Sequence, residues 1–452
     1  MEFSSIRFLL YFLPVFFLFY AITPKSFKNI TLIAGSFIFY ALGEPRNLLV
    51  LLGSICVNFV IGRGIDAAKE KEKEGPQRAG SGKWLYVLAV MGNLAVLCHF
   101  KLWAEELPLG LSFYTFQVIS YLTDLYEGET KGEKSLLRFV TYLAMFPKLI
   151  SGPITPYETV RERLADRRVD AEMIREGLER FVLGLALKTL LADRIGILWV
   201  EVGKTGYESI TWRYAWLGTL AYSMMLYFNF YGYSLMAIGL GKLVGFDLPE
   251  NFKLPYLSGS VREFYRRWHV TMGLWFRKYV YIPLGGSRKG EGRTILNLLV
   301  VWLLTGFWHG VTLNYFLWGV FLWLCIFVER LWEKLPFAKK LKVLPHLWLL
   351  FVIPISWMFF AITDVREVQI YLTRLFGVGN PVNGNPSDYL MALRRHGVAL
   401  LCGVICCTGV VEKVLEKWGK RFTKNLFLTA VFWLCVWKIL TAGSNPFLYL
   451  NY

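Results

Sequence analysis

Residues 313–328 read LNYFLWGVFLWLCIFV, a run without a charged side chain. A helix needs about 20 mostly apolar residues to cross a bilayer, so this run and its flanks suffice for one crossing. Similar apolar runs recur along the chain, at 8–23, 30–43, 47–62, 84–100, 294–308, 346–361, 397–411 and 425–442. The pattern predicts an integral membrane protein with roughly 10–12 membrane segments.

The composition agrees with a chain surrounded largely by lipid. Of the 452 residues, 55% are hydrophobic and 18% are charged, whereas a soluble domain carries about 25% charged residues. Less uniform segments lie around 107–126, 136–154, 179–200 and 213–245, and we expect some of them to be broken or re-entrant. The sequence therefore predicts an all-α transmembrane helix bundle that forms one domain over residues 1–452. Pro24 and Lys25 stand where a secretion signal would be cleaved, which favours a retained first helix.

The net charge of +17 lies mainly in short stretches between the apolar runs. Such a distribution is typical of the positive-inside rule, and it predicts a cytoplasmic loop at 63–83 and an N-terminus on the outside. Basic and aromatic residues do not alternate along a polar face, so we expect no nucleic-acid partner. The seven cysteines lie in or beside apolar runs without metal-ligand spacing, and we expect no metal site.

Polar residues and glycine or proline concentrate in 107–156 and 229–310, and the cluster at 377–386 predicts an extramembrane loop. Irregular backbone at membrane depth is tolerated only where protein or a water-filled cavity satisfies its polar groups. We therefore expect the functional residues in the first two of these segments.

His309 ends the apolar run before Gly310, in the sequence GFWHG at 306–310. An ionisable residue at membrane depth is costly and is by default a functional candidate. Gly310 is expected to end the helix, which places the imidazole at a helix–loop junction. A histidine that merely bonds a backbone carbonyl there is the structural alternative.

His269 lies in VREFYRRWH at 261–269. At about 100° per residue, Arg266, His269 and Arg277 would share one face of a single amphipathic helix at the membrane interface. On this interpretation His269 is one polar residue among arginines. The alternative is a basic cavity that holds an anionic cofactor, because guanidinium groups match phosphate oxygens.

Several motifs together resemble the membrane-bound O-acyltransferase family, in particular its alginate O-acetylation branch. They are LPLGLSFYTFQ at 107–117, FPKLISGP at 146–153, LADR at 191–194, PENF at 249–252, FYRRWH at 264–269, YIPLGG at 281–286 and FWHG at 307–310, with a closing NPF at 445–447. This branch is related to the protein that transfers D-alanine to teichoic acids.

The resemblance implies a ring of helices around a central funnel and a catalytic role for His309, with His269 as a second site residue. Members usually have aspartate in the segment that here reads YFNFYGYS at 227–234, and Asn229 keeps a hydrogen-bonding group without the charge. The family implies transfer of an acyl group from a cytoplasmic thioester, most simply acetyl-coenzyme A, for O-acetylation of a polysaccharide outside the membrane.

We expect His309 to act as general base on an acceptor hydroxyl, and His269 or Asn314 to donate to the oxyanion. Arg266, Arg277 and Lys278 are the candidate phosphate-binding residues, and Asn229 is a further substrate-binding candidate. The expected partners are the lipid bilayer and an extracytoplasmic esterase-like (SGNH-type) acetyltransferase, in a bacterial cytoplasmic membrane. D-alanyl transfer from a carrier protein and a transporter without chemistry are the two alternatives.

Overall fold

The computed structural model describes residues 1–72, 81–104, 106–336, 341, 343–418 and 421–442. Within these ranges the regular structure is helical, apart from an isolated antiparallel bridge between Phe252 and Trp268. The all-α prediction is confirmed. The NPF motif at 445–447 lies outside the described residues.

The α-helices follow one another along the chain, with short π-helical segments at Arg7–Phe12, Leu187–Ala192 and Arg277–Tyr281. They are α1 (Leu13–Ile22), α2 (Lys28–Ala41), α3 (Leu48–Glu72), α4 (Ser81–Trp103), α5 (Leu111–Glu127), α6 (Leu136–Ala144), α7 (Phe146–Leu149), α8 (Tyr157–Ala165), α9 (Ala171–Ala186), α10 (Asp193–Thr205), α11 (Trp212–Leu243), α12 (Val261–Arg267), α13 (Val270–Phe276), α14 (Glu291–His309), α15 (Leu313–Glu333), α16 (Leu344–Ala361), α17 (Val365–Leu375), α18 (Asp388–Cys407), α19 (Val410–Lys417) and α20 (Arg421–Ala442).

Six of the described helices are long and apolar enough to cross a membrane. They differ in how much of their apolar surface is buried by the rest of the protein. They are Leu48–Lys71, Gly82–Trp103, Leu313–Glu333, Leu344–Ala361, Asp388–Cys407 and Arg421–Thr441. Only 11% of the apolar window in Gly82–Trp103 is buried by protein, against 50% in Leu344–Ala361. Most of the apolar surface of Gly82–Trp103 is therefore not covered by the described protein, whereas half of the Leu344–Ala361 window is covered. The prediction of a multi-pass membrane protein is confirmed.

The described chain divides into two compact units, and the expectation of a single domain stays a prediction. The first unit contains Met1–Leu183 and Tyr233–Glu250. Here α3 continues to Glu72, so the predicted loop at 63–83 is helical over its first part. Lys69 donates to the carbonyl of Tyr126 near the end of α5, and Asp66 accepts from the Gly132 N–H at 3.1 Å. The charged end of α3 thus caps its neighbour, since cations stabilise a helix C-terminus.

Two of the sequence motifs pack against each other in this unit. A Cβ on Gly110 would lie 2.3 Å from the Leu149 carbonyl oxygen, so only glycine permits this approach. Lys148 is fully buried; its ammonium lies 2.5 Å from the Gln117 side-chain oxygen and 3.9 Å from the centre of the Tyr142 ring. The motifs at 107–117 and 146–153 therefore form one buried polar contact.

The second unit contains Gly184–Gly232 and Asn251–Leu448, and its centre is the hairpin of α14 and α15. A Cβ on Gly306 would lie 2.5 Å from the Tyr315 carbonyl oxygen, and one on Gly319 would lie 2.6 Å from that of Trp302. Glycine at these positions lets the two backbones touch, as small residues do between membrane helices. Residues 376–387 between α17 and α18 are not helical, so the predicted loop at 377–386 is confirmed as a loop.

Replacing Gly319 by alanine tests this close approach. We expect Gly319→Ala to lower the free energy of unfolding by about 1–3 kcal/mol, because the methyl group forces the hairpin apart. Gly92→Ala is the matched control, since a Cβ there meets nothing within 4 Å, and alanine is the better helix former. Thermal unfolding in detergent measures both; equal stability of the two variants would contradict the packing.

Candidate functional site

His309 is the last residue of α14 and is 4% exposed. Its ring centre lies 4.7 Å from that of Trp308, 5.2 Å from that of Trp318 and 4.9 Å from that of Phe360. The helix ends before Gly310, whose backbone is extended. The prediction that His309 stands at a helix–loop junction is confirmed, and aromatic rings surround it.

The predicted single helix through 261–277 is wrong. The chain turns at Trp268, which is extended, and at His269, which has φ +46° and separates α12 from α13. A residue with a side chain seldom adopts this left-handed conformation, which costs about 1–3 kcal/mol and requires support from its surroundings. His269 is 1% exposed, whereas Arg266 is exposed. The two residues therefore do not share a polar face.

Asn251 supplies the support for this turn. Its backbone carbonyl accepts from the Val270 N–H at 2.9 Å. Its side-chain oxygen accepts from the Thr271 N–H at 3.2 Å and the Thr271 hydroxyl at 3.0 Å, and it lies 3.2 Å from His269 Nδ1. The bridge between Phe252 and Trp268 closes the same contact. The segments PENF and FYRRWH, which are separated by residues 253–263, thus meet through Asn251.

These contacts fix the proton of the His269 imidazole. A backbone N–H can only donate, so the Asn251 atom that accepts from Thr271 is its oxygen. Nδ1 of His269 must then carry the proton, which leaves the lone pair on Nε2. His269 lies outside the six candidate spans, and burial lowers the pKa of its imidazolium to about 3, so the ring is neutral at pH 7. A neutral ring of this tautomer accepts at Nε2, which does not fit the predicted role of oxyanion donor.

Trp308 joins the two histidines. Its ring centre lies 6.1 Å from that of His269 and 4.7 Å from that of His309. On its other side His269 packs edge-on against Phe230 of α11 at 4.8 Å. The structure therefore brings both predicted histidines into one aromatic cluster.

Asn314 is fully buried near the start of α15. Its Nδ2 donates to the Phe359 carbonyl at 2.9 Å, in the last turn of α16. One of its two N–H bonds is thereby used to hold α16, and its buried oxygen has no hydrogen-bond partner within the described ranges. The side chain thus offers an acceptor as well as its second N–H.

The remaining predicted site residues lie in different environments. Asn229 is buried on α11 directly before Phe230, and adjacent helical side chains point about 100° apart. Arg277 is exposed and Lys278 half-buried, both in the π-helical segment after α13. Their role stays a prediction.

Glu329 is a residue that the sequence reasoning missed. It lies near the end of α15, is 7% exposed, and accepts from the Val261 N–H at 2.6 Å, which caps the N-terminus of α12. A buried carboxylate just after the apolar run 313–328 is the signal that could have identified it. Helix α12 has only 7 residues, too few to be stable alone, so this bond anchors the segment that leads to His269.

A capping box completes the same helix end. The Ser260 hydroxyl accepts from the Glu263 N–H at 3.1 Å, and the Glu263 carboxylate accepts from the Gly259 N–H at 2.9 Å. The Gly259 N–H and the Arg267 guanidinium hold the pKa of the Glu263 carboxyl below its ordinary value. The pattern Ser-x-x-Glu at 260–263 also predicts this helix start from the sequence.

Replacing Asn251 by leucine removes the acceptor that these donors share. We expect Asn251→Leu to lower the free energy of unfolding by at least about 2 kcal/mol, because buried donors lose their partner. Thr271→Val removes only one hydroxyl and should cost about 1 kcal/mol. Nitrogen chemical shifts of 15N-labelled histidine report the tautomer: Nδ1 of His269 should carry the proton in the wild type. If His269 kept the same tautomer in the Asn251→Leu protein, Asn251 would not be the residue that fixes it.

Glu329→Leu tests the anchor of α12. We expect faster hydrogen exchange at the amides of Val261 and Arg262, whereas Glu329→Gln, which keeps an acceptor oxygen, should stay close to wild type. Glu333→Leu is the control one helical turn further on; its exposed pair with Arg262 should be worth no more than about 1 kcal/mol. Equal exchange in the Glu329→Leu and Glu333→Leu proteins would refute the anchoring role.

The chain was compared with known protein families and with individual known proteins. The model of the membrane-bound O-acyltransferase family matches residues 129–365, more than half of the chain. A probable alginate O-acetylase of Pseudomonas fluorescens is 39% identical over 328 residues, which cover 72% of this chain and 66% of the relative. The chain therefore spans just under two thirds of that relative's length.

Two further relatives have other substrates in their names. A peptidoglycan O-acetyltransferase of Helicobacter pylori is 32% identical, over 73% of this chain and 70% of the relative. A teichoic acid D-alanyltransferase of Bacillus subtilis is more distant, at 26% identity over 60% of this chain and 73% of the relative. The family match includes both histidines and the helices that hold them, and the chain belongs to the membrane-bound O-acyltransferase family.

Proposed function

We propose that this protein is an O-acyltransferase that moves an acetyl group from a cytoplasmic thioester across the membrane, for O-acetylation of a polysaccharide outside. The observation that carries the proposal is the buried His309 at the end of α14, inside the region that matches the family. The names of the alginate and peptidoglycan relatives support acetyl as the acyl group. A bacterial cytoplasmic membrane is the location that this direction of transfer implies.

His309 acts as the general base in this proposal. Its ring takes the proton of an acceptor hydroxyl, whose oxygen attacks the acetyl carbonyl carbon. The carbon–sulfur bond then breaks, the ester bond is complete, and the thiolate takes the proton back from the imidazolium. Positioned acid–base catalysis of this kind contributes about 10²–10⁴ in rate.

His269 contributes an acceptor rather than a donor. Nδ1 is held by Asn251, so the lone pair on Nε2 can accept a hydrogen bond from a substrate group, while the proton of the acceptor hydroxyl goes to His309. The second N–H of Asn314 remains the candidate donor to the oxyanion.

The donor we propose is acetyl-coenzyme A, with Arg266, Arg277 and Lys278 near its phosphates. The exposure of Arg266 and Arg277 suits contact with a soluble nucleotide, because an exposed guanidinium reaches phosphate without burying its charge. The acceptor is a serine of an extracytoplasmic esterase-like enzyme that passes the acetyl group to the glycan, or the glycan itself. Transfer of D-alanine from a carrier protein is the second candidate, on the basis of the Bacillus subtilis relative.

Acetyl transfer by the purified protein in nanodiscs tests the proposal. Radiolabelled acetyl-coenzyme A is offered with the candidate extracytoplasmic esterase-like enzyme and purified alginate or peptidoglycan, and label on the partner enzyme and on the polysaccharide is counted. We expect transfer by the wild type and a loss of about 10²–10⁴ in rate in His309→Ala. His99→Ala is the matched control, because His99 is an exposed histidine of the first unit. Transfer at the wild-type rate by folded His309→Ala protein would overturn the catalytic assignment.

A further inference from the structure

The rings around His309 form a closed surface on one side of the imidazole. Phe360 and Trp318 both meet it edge to face, with interplanar angles of 79° and 89°. They also contact each other, with ring centres 5.6 Å apart, and both are about 1% exposed. At these distances the rings are in van der Waals contact, so no side chain of a substrate fits between them and His309.

Backbone contacts prevent this surface from opening. A Cβ on Gly310 would lie 2.3 Å from the Tyr315 ring, so the ring rests directly on the Gly310 backbone. Tyr315 in turn packs edge-on against Phe360 at 5.3 Å. On the far side Phe360 meets Trp357 at 5.8 Å. Phe360 is therefore packed against two further rings, and Tyr315 against the backbone of Gly310.

We propose that Phe360 and Trp318 form a fixed wall that limits the transferred acyl group to acetyl. The proposal rests on the function proposed above and adds the size of its substrate. In this proposal, the substituent of the acyl carbon that is attacked beside His309 points toward these rings. A methyl group is the smallest substituent an acyl carbon can carry besides hydrogen, whereas propionyl and butyryl groups would have to displace an aromatic ring.

The same wall separates acetyl from D-alanyl transfer. The D-alanyl group replaces one hydrogen of the acetyl methyl by a methyl group and another by an ammonium. It is therefore larger than propionyl, and its charge would lose water beside aromatic rings. The wall thus gives a physical reason for acetyl selectivity that does not depend on the names of relatives.

The test is the ratio of kcat/KM for acetyl-, propionyl- and butyryl-coenzyme A, measured on one preparation in nanodiscs. A ratio on one preparation is independent of the fraction of active protein. A pocket discriminates by about 10–200-fold per methylene, and we expect the wild type to prefer acetyl by such a factor. Phe360→Ala should reduce this preference at least tenfold.

Phe321→Ala is the matched control, because the Phe321 ring packs on Phe359 at 5.3 Å, on the same pair of helices; it should keep the wild-type ratio. Phe360→Leu and Trp318→Phe are smaller changes for use where Phe360→Ala does not fold, and each should reduce the ratio to a lesser degree. Wild-type acetyl transfer with an unchanged ratio in the folded Phe360 and Trp318 variants would overturn the wall and leave the proposed function intact. Absence of acetyl transfer by the folded wild type, with the partner enzyme and the polysaccharide both present, would overturn the proposed function, and the wall with it.

Discussion

The geometry of the second unit depends on one amide oxygen. Asn251 Oδ1 is fully buried and accepts from the backbone and hydroxyl of Thr271 and from the ring of His269. Without water, each of these donors needs a partner from the protein, since an unpaired buried donor costs about 1–3 kcal/mol. The left-handed backbone at His269 is therefore the conformation that satisfies all of them together. Its strain is smaller than the cost of leaving the donors unpaired.

That oxygen also determines the chemistry of the ring it holds. A histidine inside an aromatic cluster would otherwise choose its tautomer freely, but here the proton is fixed on Nδ1. His309 lies beyond Trp308 in the same cluster, where the surrounding rings limit access of water. The two imidazoles thus stand in similar apolar surroundings, while the proton of one of them, His269, is assigned by the side-chain oxygen of Asn251. A fixed acceptor at His269 Nε2 requires no reorganisation during a reaction, which is the property that electrostatic catalysis depends on.

The sequence correctly predicted those features that depend on one continuous stretch of residues. The apolar runs predicted the membrane class, and Gly310 predicted the end of the helix that carries His309. The segment 261–277 was predicted as one helix because its periodicity is helical on both sides of His269. The break comes from Asn251, a residue of a different segment, and period alone does not reveal such a contact. The anchoring contact of Glu329 and the role proposed for Phe360 were missed for the same reason: each residue contacts a helix that is distant in sequence.

Helix α15 holds α12 and α16, which are distant in sequence, in fixed positions relative to each other. Asn314 near its start binds the Phe359 carbonyl of α16, and Glu329 near its end binds the first turn of α12. The two positions are separated by roughly 22 Å along a helix that rises 1.5 Å per residue. The helix that carries Phe360 and the helix that leads to His269 are thus both attached to the same rigid element. A buried carboxyl group is costly, but an apolar residue at 329 would leave the Val261 N–H without its side-chain acceptor. The acceptor oxygen at Glu329 therefore helps to fix where His269 stands.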